Sequence, residues 1–179
     1  MNRAFGLIAS LALAPCLVGQ QQPPPSTETL VLSLKTMSKA LATCRDSYTK
    51  VLPPYSVPLI QQILGAKDYA SDMDTIDQAE KITNALVASP GKITGQFLVL
   101  VLSMSDDVYI HATGTQNQLL MGLVTDALDR KSETAKSILL STSTLGACQT
   151  ALYNAGDDYV SLVTAYVGAE DAALKKLSK

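Results

Sequence analysis

The sequence predicts an all-α protein, a single-domain helical bundle of about five amphipathic helices. Three observations carry this expectation. Apolar residues recur at helical spacing through most of the chain, and no set of stretches alternates as paired strands would. The length, 179 residues, suits one domain. The composition is 47% hydrophobic but only 5% aromatic, so a core must rest on Leu, Val, Ile, Ala and Met. The clearest stripe is Leu145, Cys148, Leu152, Ala155, Tyr159, Leu162 and Tyr166. Its steps of three and four keep these side chains on one helix face.

The chain opens with Arg3 and the apolar run Ala4–Ala14, followed by Leu17-Val18-Gly19. This reads as a secretory signal peptide over residues 1–19, too short for a membrane span. Residues 20–29 form a polar, proline-rich lead that begins QQQPPP, and residues 30–179 form the bundle domain. Removal of the leader takes away Arg3 and Cys16, leaving 13 basic and 16 acidic residues. So mild an acidity argues against nucleic acid as a partner. The two remaining cysteines, Cys44 and Cys148, either bond to each other in an oxidising compartment or stay separate buried thiols.

Ser26, Thr27 and Glu28 signal a helix start. Leu30, Leu34, Met37, Leu41, Cys44, Tyr48 and Val51 then repeat the stripe until Pro53-Pro54 stops it. A short helix is expected over Val57–Gly65. Tyr69, Met73, Ile76, Ala79, Ile82 and Leu86 mark the next long one. Its Asp68, Asp72, Asp74, Asp77, Glu80 and Lys81 read as a solvated face, since their spacing matches no calcium loop. Ser89-Pro90-Gly91 breaks the chain.

Ile93–Met104 is apolar on nearly every side and is expected to be the most buried helix, ending near Gly114. A further helix runs from Thr115 to Leu139. Ser141–Thr144 is expected to turn, and the last helix to run to about Ala172. If the helix around Phe97 is wrapped by the others, the core is either filled or opens into a slot for an acyl chain. Phe97, Val101, Met104 and Leu123 are the candidate lining of such a slot.

Catalytic chemistry finds little footing. His111 is the only histidine, and a triad would have to use it with Asp106 or Asp107, without a nucleophile-elbow sequence. Two cysteines and one histidine are too few for a structural zinc site. No phosphate loop follows a strand. No catalytic, cofactor-binding or metal-ligating residues are expected, and the protein reads as a non-enzyme.

The stretch Gly122–Val167 carries a resemblance. Val124, Leu128, Thr134 and Ile138-Leu139, then Asp158-Tyr159, Leu162-Val163 and Ala165-Tyr166, are similar to the last two helices of the fungal hydrophobic surface-binding protein family. That family includes cell wall galactomannoproteins. Leu30–Val51 followed by Leu59–Leu64 suits its first two helices, so the likeness spans most of the mature chain. It rests on pattern, not on a sharp motif. The resemblance implies a secreted, extracellular or wall-associated protein that adsorbs to hydrophobic surfaces or holds fatty acid or lipid between helices. Cell-wall polymer or a secreted hydrolase would be further partners, and no catalytic residues transfer. A second resemblance is to plant inhibitors of invertase and pectin methylesterase. That group pairs four cysteines, two of them in an N-terminal hairpin where this chain has only Cys44.

Overall fold

The computed structural model describes residues 23–51, 65–125 and 133–178. They form four helices: α1 Thr27–Asp46, α2 Ala66–Ala88, α3 Gly95–Thr125 and α4 Glu133–Leu177. The protein is all-α, with no strand among the described residues. The leader, Pro53-Pro54 and the short helix expected up to Leu64 lie outside the described residues.

Each helix follows from its sequence. Ser26 caps α1, its hydroxyl accepting from the Thr29 N–H at 3.1 Å. The predicted α1 stripe is buried from Leu30 to Tyr48, and the helix ends in a π-helical turn, Ser47–Val51. Gly65 stands before α2 with φ 83°, a left-handed conformation that a side chain would strain. Pro90 opens a 3-10 turn, Pro90–Lys92, that leads into α3.

Cross-helix pairs fix the topology. α1 meets α4 through Cys44–Cys148 and Ser47–Thr144. It meets α2 through Ser38–Asn84 and Arg45–Glu80. α3 meets α4 through Leu98–Tyr159 and Gln116–Thr142. In each pair of helices one number rises as the other falls, so these neighbours are antiparallel. α2 and α3 are joined by the short segment 89–94, which turns the chain back, and each packs on the other. The result is an up-down-up-down bundle in which α1 and α3 lie on one diagonal and α2 and α4 on the other. One continuous apolar cluster, from Leu30 through Ile76 and Val101 to Val163, fills its centre.

Four long helices are described where five were expected: two anticipated breaks do not occur, and the expected Thr115–Leu139 helix is shared between α3 and α4, its residues 126–132 lying outside the described ones. Gly114 lies inside α3. A helical glycine costs about 1 kcal/mol against alanine, and the buried Ala112, Thr115 and Leu119 around it offset that cost. Ser141–Thr144 lies inside α4. Thr142 and Thr144 donate their hydroxyls to the carbonyls four residues back, at 2.7 and 2.8 Å, so these groups are satisfied without a turn.

Two readings of faces also change. Asp72 does not belong to a solvated face: it is 3% exposed. The α2 stripe runs Asp72, Ile76, Ala79, Thr83 and Leu86, in steps of 4, 3, 4 and 3, and all five are buried. Nor is α3 wrapped on all sides. It packs on α2 and α4 and leaves Phe97, Val99 and Leu100 exposed. A helix in a four-membered ring has two neighbours and a solvent side, whatever its sequence offers to the core.

Candidate functional site

The solvent side of α3 is the most unusual surface among the described residues. In 31 residues α3 carries only Asp106, Asp107 and His111 as ionisable groups apart from Tyr109. Its exposed large side chains are Phe97, Val99, Leu100, Ile110, Leu120 and Met121. Val99, Ile110 and Met121 follow one another at steps of 11, about three turns each, and so share one outward file roughly 33 Å long, with the exposed Ser103, Gly114 and Asn117 between them. Leu120 has a counterpart on α4, where Leu139 and Leu140 are also exposed. The antiparallel pairing of Gln116 with Thr142 sets these residues at about the same level.

The side of α3 that meets α4 is closed by polar contacts of buried or half-buried groups. The Tyr159 hydroxyl donates to the Leu98 carbonyl and the Tyr166 hydroxyl to the Ile93 carbonyl, each at 3.1 Å. Gln149 Nε2 donates to Gln116 Oε1 at 2.9 Å, and Gln116 Nε2 to the Thr142 carbonyl at 2.8 Å. The Glu170 carboxylate accepts from the Gly95 N–H at 3.2 Å, an acceptor placed at the positive end of α3. A Cβ at Gly95 would collide with that carboxylate.

Between α3 and α2 lies a polar cluster. His111 Nδ1 stands 2.5 Å from Asp72 Oδ1. The Asp72 carboxylate is 4% exposed and the imidazole about half exposed. The hydrogen bond to Asp72 raises the His111 pKa above 6.5, aided by the charges of Asp107 and Asp68. Burial raises that of Asp72, and His111 pulls it partly back. Tyr48 is buried beside them, its hydroxyl pKa raised first by burial and then by the Asp72 charge. Neither the Tyr48 hydroxyl nor Asp72 Oδ2 has a hydrogen-bond partner. The His111–Asp72 contact ties α3 to α2.

The anticipated residues fall in different places. Cys44 and Cys148 are bonded and wholly buried, joining α1 to α4 across 104 residues. Phe97 is 44% exposed, Val101 is buried in the core and Met104 packs at its edge. The Leu123 side chain lies outside the described ones. One small cleft does open between α3 and α4, lined by Met37, Leu102, Ser105, Asp106, Tyr109, Leu152, Tyr153 and Gly156. At about 30 Å³ it has room for water but not for an acyl chain, and Phe97, Val101 and Met104 are not part of its wall.

The apolar pattern of α3 was visible in the sequence over Ile93–Met104, but its direction was not. The His111–Asp72 pair was missed, although Asp72 stands four residues before Ile76 in a regular stripe. Among the described residues no three His, Cys, Asp or Glu are grouped to hold a metal ion, and no helix is long and apolar enough to cross a membrane. No protein-family model, curated protein or solved structure matches the chain.

Proposed function

We propose that this is a secreted, non-enzymatic protein that adsorbs to hydrophobic surfaces through the outer side of α3, at the cell wall or outside the cell. The observation that carries the reading is the outward file of Val99, Ile110 and Met121 with Phe97 and Leu100 beside it. Burying apolar area is worth about 25 cal/mol per Å², so a few such side chains suffice for reversible attachment. These five exposed apolar side chains on one helix are more than scattered single residues, and such a gathering fits an interaction surface. The buried disulfide supports maturation in an oxidising compartment, and the apolar leader at residues 4–14 supports export. The resemblance to the fungal hydrophobic surface-binding family points the same way.

Adsorption is favoured over a chain enclosed in the core, because the centre is one filled cluster and the cleft beside it is small. Depletion of the purified protein from solution over methyl-terminated beads tests the proposal. Saturable loss to the beads, with none to hydroxyl-terminated beads, is expected. Equal loss to both would remove it.

A further inference from the structure

A second opening lies on another side of the bundle, between α1 and α4. Thr29, Leu32, Ser33 and Thr36 line it from α1, and Ala155, Asp158, Ser161 and Leu162 from α4. Its volume is about 400 Å³, within the roughly 300–1,000 Å³ of small-molecule sites. Leu32, Ala155 and Leu162 give it apolar walls. Two of its four hydroxyls are already committed as donors. The Thr36 hydroxyl already donates to the Leu32 carbonyl at 3.1 Å, and the Ser161 hydroxyl to the Asp157 carbonyl at 3.4 Å. Each therefore has only lone pairs left to offer a ligand. Asp158 is the one charged residue of the lining; it is exposed and takes part in none of the described ion pairs.

We propose that this groove binds a primary alkylammonium ion, its nitrogen held at Asp158 and its stem lying along Leu32, Ala155 and Leu162. A primary ammonium brings three N–H donors and a positive charge to a site that offers lone pairs and a carboxylate. A fatty acid brings a second carboxylate, which Asp158 repels. The site is thus selective for head-group charge and separate from the adsorbing side of α3, so the two readings fail independently.

The test is titration of the full mature chain with decylamine and with decanoate below their micelle concentrations, followed by calorimetry and by amide chemical shifts. Saturable binding of decylamine is expected, with shifts at Thr36, Asp158 and Leu162 and no matching response to decanoate. Asp158→Asn should weaken decylamine by about three- to fivefold, the size of a solvated ion pair. Asp157→Asn, one residue outside the lining, should change it by less than about twofold by the same reasoning. Leu32→Ser, at an exposed position that folding does not need, should also weaken binding. Decanoate binding as well as decylamine, unsaturable decylamine binding, or an unchanged affinity in Asp158→Asn would each overturn the proposal.

Discussion

His111 Nδ1 and Asp72 Oδ1 meet at 2.5 Å across α3 and α2, and they are the one described ion pair that joins these two helices. The groups around them are acidic or phenolic: Asp68 on α2, Asp107 on α3, and Tyr48 after α1 with Tyr69 of α2 against it. The level of α4 that reaches Ala112 presents Gln149, which carries no charge. The protonated imidazole is therefore the sole described cation at this junction.

The pH dependence follows in sign. His111 has a folded pKa above its ordinary 6.5, so its stabilisation is complete below that value and is lost as pH rises through the folded pKa. Asp72 has a folded pKa above 3.8, so ionising it costs stability from there upward. Both groups make the bundle less stable as pH rises. The urea midpoint should fall as pH rises above about 6.5, and His111→Gln should flatten that fall. An equally steep fall in the variant would assign the effect elsewhere. His111→Ala, which strips the buried carboxylate of its donor, should cost about 1–3 kcal/mol near pH 6.

The Cys44–Cys148 bond closes a separation of 104 residues. In the chain-entropy treatment a loop of that length contributes about 4–5 kcal/mol. Replacing both cysteines with alanine should lower the denaturant midpoint by a corresponding amount while leaving the helical circular dichroism of the folded protein unchanged. A loss under about 1 kcal/mol would mean that the unfolded chain is already compact at this junction.

Tyr159 is 1% exposed and donates to Leu98. Tyr159→Phe should cost about 1 kcal/mol for the hydrogen bond alone. Tyr159→Ala should cost about 3–5 kcal/mol, because it also empties the space between α3 and α4. Equal losses in the two variants would show that packing of the ring contributes nothing.

Gly156 sits within α4, and a Cβ added there would meet nothing within 4 Å. Gly156→Ala should therefore stabilise the protein by up to about 1 kcal/mol, since alanine favours helix over the unfolded chain. Thermal melts decide the sign. A lower midpoint would show that the adjoining cleft depends on the missing side chain.

Much of the bundle was legible because stripes at steps of three and four are a local signal. Leu30 to Tyr48 and Leu145 to Tyr159 needed only their own sequence to be assigned to the core, and a cysteine on each stripe made their pairing geometrically reasonable. Where helices continue was less legible. Gly114 and Ser141–Thr144 look like breaks in isolation, and packing plus hydroxyl bonds to the preceding turn carry the helix through both. The polar junction was hidden for a different reason. Asp72 and His111 are 39 residues apart, and nothing local tells an aspartate that its counter-charge arrives from another helix. The outward file of α3 was hidden by its own composition, since a helix apolar on every side names no preferred partner.

The central claim is that the solvent side of α3 attaches the protein to apolar surfaces. The most direct measurement is an adsorption isotherm on a methyl-terminated solid for the wild-type chain and for Leu100→Glu/Ile110→Glu. Both positions are exposed, so the variant should keep its helicity and its melting temperature. The account predicts adsorption weakened by about tenfold or more, from the loss of two buried apolar groups and the desolvation of two carboxylates. An isotherm equal to that of the wild type, from a variant shown to be folded, would contradict it.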